Sequence, residues 1–466
     1  MSGIAPRLLT LLALGACGPS RSAVFGPVDR EIERRLGEKA RWGEDPRVAA
    51  AIASLLQKPL DREAAIRIAL ATNRRLQASY DQLGIAASEI ASATVLPPTR
   101  VDVEVKLASG GAEVEVDVIQ DVLALVQVPQ RRGIAQAELA AARARAVAAT
   151  VELVARVEAA YIDLVAAAQE LELRQTAFDA ANASAVLAER IRAAGNISEL
   201  DLARELDQRE LARIDLGRAQ VDLELRREAM NEVLGLSGNA THWTVAGRLP
   251  DPPELAPRLD GLERDSVAAS LALEATRADA EAAAGRVGLA RVRAWLPELG
   301  LGVSGDHRDG TTDVGPAISV GIPLFDQQQG PRARAHAELS RARNEAIATA
   351  VELRARARAA RERVLGAHAE ARHLQTVVLP LRQRILDEAV KQYNAMNVST
   401  FELLTARREL VEAGRRYIDA VRRYWRAEAA ARALARGGMA GGGDADEPSR
   451  AAPRTTTTDS HQEAAP

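Results

Sequence analysis

The chain has 466 residues with nearly balanced charge (Lys+Arg 61, Asp+Glu 64; net −3), which excludes the broad basic surface that nucleic acid requires. Aromatics are only 3 % against 47 % hydrophobic residues, so small aliphatic side chains at helical spacing must supply most of the packing. The single cysteine, Cys17, rules out internal disulfides and cysteine-rich metal sites.

The N-terminus carries Arg7, the apolar run Leu8 to Leu14, and then Gly15-Ala16-Cys17. A basic start, a short apolar core and small residues before a break describe an export signal over residues 1–16. Leu14-Gly15-Ala16-Cys17 resembles a bacterial lipobox, which implies lipidation of Cys17 as the mature N-terminus; Gly18, rather than an aspartate, points to the outer membrane. Residues 17–60 mix Pro, Gly and charge and read as a surface segment. No later run reaches the ~20 apolar residues of a membrane-spanning helix. A membrane span would therefore consist of β-strands.

From Arg62 to about Thr94, Ala64, Ile68, Ala71 and Leu76 hold one helical face, until Leu96-Pro97-Pro98 breaks the pattern. The period then changes to two. Val101, Val103, Val105 and Leu107 alternate with Asp102, Glu104, Lys106 and Ala108. After Ser109-Gly110-Gly111, Val114, Val116 and Val118 alternate with Glu113, Glu115 and Asp117. This predicts a β-hairpin within 99–128, with one apolar and one acidic face. Residues 297–323 predict a second hairpin, with arms at Leu299 to Val303 and Ile318 to Ile322 and a turn region from Asp306 to Asp313. Each exits through a proline, Pro129 or Pro323. A long helix follows each: about Gln130 to Ala193, carrying Val147, Val151, Val154, Val157, Tyr161 and Leu164 at spacings of three and four, and about Pro331 to Asn394, with Pro380 as a possible kink. The last helix repeats Leu403/Leu404, Leu410/Val411, Tyr417/Ile418 and Tyr424/Trp425 every seven residues, a coiled-coil-like seam. Residues 437–466 are Gly-, Thr- and Pro-rich and read as a disordered tail.

The halves echo each other. Ser198-Glu199-Leu200-Asp201 returns as Ser399-Thr400-Phe401-Glu402, Ala135 to Leu139 as Ala335 to Leu339, and Gly84-Ile85-Ala86 as Gly288-Leu289-Ala290. Such ordered matches indicate a duplicated unit, with repeats at 61–250 and 251–436. The fold class is mainly α with β-hairpins, giving four strands per chain. Four strands cannot close a membrane barrel, so subunits must pool them.

The duplicated helix–hairpin–helix units, Ile322-Pro323-Leu324-Phe325 with Gln329-Gly330, and the paired serine motifs resemble the TolC-like outer membrane efflux factor family over about residues 60–436. The lipobox is similar to that of its lipid-anchored branch. The resemblance implies a homotrimer with a twelve-stranded β-barrel in the outer membrane of a Gram-negative bacterium. That barrel continues into a long α-helical barrel across the periplasm. Partners implied are a periplasmic adaptor protein, an inner-membrane pump and outer membrane lipid, with no nucleic acid. The pump supplies energy, so no cofactor or catalytic site is expected, and the chain carries no Gly-rich phosphate loop or nucleophile–base arrangement. At the periplasmic gate, the resemblance assigns Asp201 and Glu402 to acidic rings. Arg204, three residues after Asp201, is placed to pair with an acid as a latch. Ser198 and Ser399 equally fit helix caps, each forming a capping box with its acid. Gly195 corresponds to Met396, which departs from the family pattern and questions the shape of the second turn. Asp102, Glu104, Glu113, Glu115 and Asp117 would line the lumen. His368 and His373, five positions apart, share no helix face and read as solvated, so no metal ligands are assigned. Arg131-Arg132-Gly133 and Gln329-Gly330 resemble the metal-efflux branch. Two other readings fit the same residues: a lipid-anchored periplasmic coiled-coil spacer, and the outer membrane channel of a type I secretion system.

Overall fold

The computed structural model describes residues 21–38, 46–95, 97–108, 111–245, 247–296, 298–308, 311–321 and 328–439. Cys17, both hairpin tips, the exit at Ile322 to Phe325 and the tail from residue 440 lie outside the described residues.

The first repeat is built from α3 (Arg62–Thr72), α4 (Arg74–Thr94), β1 (Arg100–Ala108), β2 (Gly111–Asp121), the short α5 (Val122–Val126), α6 (Val128–Ala193) and α7 (Glu199–Leu234). They follow α1 (Arg21–Leu36) and α2 (Pro46–Leu56). The second repeats the order as α8 (Leu262–Ala269), α9 (Leu271–Trp295), β3 (Glu298–Arg308), β4 (Thr311–Gly321), α10 (Gln329–His373), a π-turn (Leu374–Val378), α11 (Leu379–Asn394) and α12 (Thr400–Ala435). At 66 residues, α6 is about 100 Å long. It is the spine against which α4, α7, α9 and α12 all pack. Val147, Val151, Val154, Val157 and Leu164 are buried along it, as their spacing predicts, and Tyr161 is half-buried. On α12 the seam rests on a floor of alanines: Ala406, Ala413 and Ala420 are buried, while Leu403, Leu404, Leu410 and Val411 are half-buried.

Three differences from the sequence reading have clear causes. The helix expected from Arg62 to Thr94 breaks at Asn73, whose side chain accepts from the Leu76 amide at 3.0 Å and donates to the Val233 carbonyl at 2.9 Å. Ser270 breaks the second repeat at the matching point by accepting from the Leu273 amide. Each break receives the end of its repeat's last helix. Gly235 (φ +71°) lies against Thr72 and Asn73, and Gly437 (φ +92°) lies so close to the Ala269 carbonyl that a Cβ would sit 2.2 Å from it. The segment read as surface is also part of the core: Val24, Val28 and Ile32 on α1 are buried, as is Leu60. Arg35 on α1 donates to the carbonyls of Ala269 (2.8 Å) and Arg436 (2.7 Å), tying the N-terminal helix into the second joint. Finally, the long second-half helix gives way to the π-turn at Leu374–Val378, just before Pro380, whereas its partner α6 runs unbroken.

The strands form one antiparallel sheet in the order β1-β2-β3-β4. The β2–β3 pairing, with Val118 opposite Val303, joins the two hairpins edge to edge. Among the described residues, β1 and β4 each pair on one side only. Period-two alternation sorts the sheet into an apolar face, with Val101, Val103, Val105, Val314, Ile318 and Val320 all exposed, and an opposite polar face.

Candidate functional site: the helical tips and the acidic face of the sheet

The far ends of the long helices carry the duplicated serine motifs. α6 ends with the Gly195 amide donating to Arg192 O and the Asn196 amide to Ile191 O, the paired bonds of a Schellman turn. α11 ends identically, with Met396 N to Tyr393 O and Asn397 N to Gln392 O. Met396 therefore preserves the turn that Gly195 makes, at the cost of a left-handed φ of +59° on a side-chain-bearing residue. Relief of that backbone strain is worth roughly 1 kcal/mol. Met396→Gly is expected to slow amide exchange at Asn397 and the last turn of α11 by about fivefold, and unchanged exchange would mean that the turn carries no strain.

After each turn comes a cap. The Asp201 amide donates to Ser198 Oγ at 3.0 Å, and Ser198 Oγ donates to Asp201 Oδ2 at 2.6 Å. In the second copy the box is complete: the Glu402 amide donates to Ser399 Oγ and the Ser399 amide to Glu402 Oε2. Asp201 and Glu402 are thus committed to their own helix starts. Arg204 does more. Its Nη1 lies 3.4 Å from Asp201 Oδ1, and its guanidinium stands over the Phe401 ring at 5.5 Å. One side chain of the first repeat therefore touches both motifs. Phe401 was not singled out in the sequence because it occupies the position of Leu200, which reads as an ordinary apolar residue. Glu205, one turn beyond Asp201, is buried, and its Oε2 has no hydrogen-bond partner among the described residues.

Further along the helices, Asp163 on α6 links the two repeats. Its carboxylate lies 3.1 Å from Arg426 and 3.7 Å from Arg422 on α12, and 4.0 Å from Arg226 on α7. Further along α12, burial pushes the Glu428 carboxyl above the ordinary carboxylate range, with Arg432 opposing the shift. A groove of about 1070 Å³, floored by Ala159, Ala160 and Ala427 and edged by Arg156 and Arg363, opens on this side. The other side of α12 holds the inter-repeat linker: Tyr417 Oη donates to Asp251 and Trp425 Nε1 to the Pro250 carbonyl. His368 belongs to this clasp. Contrary to its reading as solvated, it is buried, bonded to the Pro253 carbonyl at 2.8 Å and edge-on to Tyr424. His373 is exposed as expected. Among the described residues, no group of three or more potential ligands could hold a metal ion.

The acids expected to line a lumen do share one face of the sheet. Asp102 stands opposite Asp117, Glu104 opposite Glu115, and Lys106 opposite Glu113. The row continues beyond the first hairpin: Glu115 faces Asp306, and Asp306 faces Asp313. Glu104, Glu115, Asp306 and Asp313 thus form one line across all the strands. The second pair was placed in a turn by the sequence reading; the strands instead run on to Arg308 and from Thr311. Lys106 Nζ, at 3.6 Å from Glu104 and 3.5 Å from Glu115, and the Arg308–Glu113 ion pair offset part of the repulsion.

No protein-family model matches the chain. The chain is similar to the cobalt-zinc-cadmium resistance protein CzcC of Cupriavidus metallidurans, at 26 % identity over 371 residues, covering 76 % of this chain and 84 % of that one. Its fold matches a membrane protein from Pseudomonas aeruginosa (TM-score 0.69, 19 % identity, 85 % of this chain and 99 % of that one). It also matches the CmeC outer membrane channel of Campylobacter jejuni (TM-score 0.65, 14 % identity, 81 % and 86 %). In sequence and fold the chain is similar to outer membrane efflux channel proteins of the TolC-like kind. The solved structures it resembles include outer membrane channels, and the likeness gives this chain their fold. Among the described residues none of its helices is long and apolar enough to cross a membrane.

Proposed function

We propose that the chain is an outer membrane efflux factor, a passive homotrimeric conduit for metal cations that works with a periplasmic adaptor and an inner-membrane pump and performs no catalysis of its own. The observation that carries the reading is the acidic row Glu104–Glu115–Asp306–Asp313 on the face of the sheet opposite the apolar one. Closing the sheet with its apolar face toward lipid turns that row inward. Three copies, β1 of one pairing with β4 of the next, would make a ring of carboxylates that concentrates cations at the aperture. The cargo class is favoured by the likeness to CzcC, a cobalt-zinc-cadmium resistance protein. Asp201, Arg204 and Glu402 form the periplasmic gate in this reading.

Lipidation of Cys17 fits the same arrangement. Arg143 Nη2 donates to the Ala23 carbonyl at 3.3 Å, about four turns into α6 and so roughly 22 Å from the sheet end. From Cys17 to Arg21, where α1 begins, the chain can extend roughly 14 Å, and an acyl chain on Cys17 would reach the rest of the way to the membrane surface.

Two measurements test the function. The protein mass of the detergent-extracted particle, by light scattering that separates protein from detergent, is expected to equal about three subunits; a folded monomer would leave too few strands to close and favour a periplasmic spacer. A strain lacking the chain is expected to become sensitive to cobalt, zinc or cadmium salts and not to a panel of neutral drugs. The opposite pattern would overturn the cargo.

A further inference from the structure

Where the sheet meets the helices, the surface changes character twice within a short distance. Gln130 Nε2 donates to the Gly285 carbonyl at 3.3 Å, which sets α6 and α9 in antiparallel register. About two to three turns further along α9, Trp295 therefore reaches the level of α5. On α4's side, the Pro97 carbonyl accepts from Gln120, the residue before Asp121 and α5. This level is ringed by large apolar side chains facing outward: Trp295 is 83 % exposed, Val126 71 %, Val95 61 % and Leu125 50 %. The apolar face of the sheet, exposed at Val101, Val103 and Val320, begins a few residues away along the strands.

The next turns on the helical side are cationic. Arg131 and Arg132 open α6, Arg291 and Arg293 close α9, and Arg332 opens α10. No acid occurs between Asp121 and Glu138, between Glu281 and Glu298, or between Asp326 and Glu338. The nearest carboxylates are already engaged: Glu298 pairs with Arg100, Glu138 with Arg286 and Glu338 with Arg334. Arg132, Arg291, Arg293 and Arg332 are exposed and have no carboxylate partner among the described residues.

An apolar, tryptophan-bearing band followed by an acid-free arginine band has the same sequence of chemistries as a phospholipid leaflet, acyl edge first and phosphate plane next. We propose that this joint is a headgroup collar: Trp295, Val126, Leu125 and Val95 seat in the interfacial layer of the periplasmic leaflet, and Arg132, Arg291, Arg293 and Arg332 pair with the phosphates of anionic phospholipid. The collar rests on the outer membrane placement of the chain and is independent of the gate and of the cargo. It fixes the depth of the sheet in the bilayer and makes anionic lipid part of the assembled particle.

The test uses the full-length protein in phosphatidylcholine vesicles with and without phosphatidylglycerol. The difference in tryptophan emission between the wild type and Trp295→Phe isolates the collar residue. It is expected to be blue-shifted and quenched by phospholipid brominated near the carbonyl end of its chains. Phosphatidylglycerol retained by washed particles is expected to fall by about fivefold for each arginine changed to glutamine at 132, 291, 293 and 332. In the wild type, retention should also weaken in high salt, a reading that needs no variant to fold. Retention insensitive to both charge removal and salt would overturn the proposal. So would a Trp295 shielded from acrylamide equally in lipid-free amphipol, because a second copy would then cover the collar.

Discussion

Changing Glu104 and Glu115 to glutamine together with Asp306 and Asp313 to asparagine is expected to remove most of the cation preference of the reconstituted channel. The four side chains lie in one row across the sheet, at the roughly 4.8 Å spacing of neighbouring strands, so their fields add. A narrow lumen lined by one sign of charge raises the local counter-ion concentration by tenfold or more. The expected result is a fall of about tenfold in the cation-to-anion permeability ratio, read from the reversal potential across a KCl gradient. The difference should be large in dilute salt and small near 1 M, where the screening length drops to about 3 Å. The variant should fold at least as well as the wild type, because carboxylates set directly opposite one another in a sheet repel. An unchanged reversal potential would mean that this face does not line the conducting path.

Opening the tip is the second large effect. Arg204→Ala removes at once the ion pair with Asp201 and the cation–π contact with Phe401. The groups are half-exposed, so the two contacts together are worth about 1 kcal/mol per chain. If three chains open in concert, the total is about 3 kcal/mol, on the order of a hundredfold in the closed-to-open ratio. Bilayer recordings should therefore show a strong rise in open probability at unchanged single-channel conductance. Phe401→Ala should reproduce part of the rise, and the double variant should add little to Arg204→Ala, as expected of residues in one contact. Asp201→Ala with Glu402→Ala tests the acids themselves. Both stand in helix-capping positions, so this pair also loosens the starts of α7 and α12, and its effect should exceed that of the isosteric Asp201→Asn, which keeps the Ser198 cap. Wild-type behaviour in all of these variants would remove the tips from the gate.

Period-two alternation made the arms of the first hairpin readable, because Val101 to Leu107 and Val114 to Val118 leave only one pleat assignment, but the apolar run after Asp121, read as part of the hairpin to residue 128, folds as α5. The second hairpin was less legible. Its Gly-, Thr- and Asp-rich centre has turn composition, and the strand character of Asp306 and Asp313 comes from pairing with Glu115 and each other. The break at Asn73 was hidden for a related reason. The apolar spacing continues across it, and the carbonyl of Val233 that favours the break comes from the far end of the repeat. His368 was misread because its partner, the Pro253 carbonyl, sits on a linker that no helical-face argument includes. The capping boxes could be read directly, since they involve only residues three apart. The contact of Arg204 with Phe401 could not, since it depends on how the two repeats lie together.

The two joints, at Asn73 with Gly235 and at Ser270 with Gly437, are one piece of carpentry used twice. An ancestor coding for a single repeat could have built a comparable ring from six separate chains. With both halves on one chain, each can differ alone, and the differences between them are specific. The second long helix carries the π-turn before Pro380, its tip has Met396 where the first has Gly195, and among the described residues Arg35 of the N-terminal helix braces the second joint. In the proposed trimer the backbone would keep an approximate sixfold rhythm while its chemistry repeated only three times, so the tunnel would move and select differently at alternate positions around one circumference.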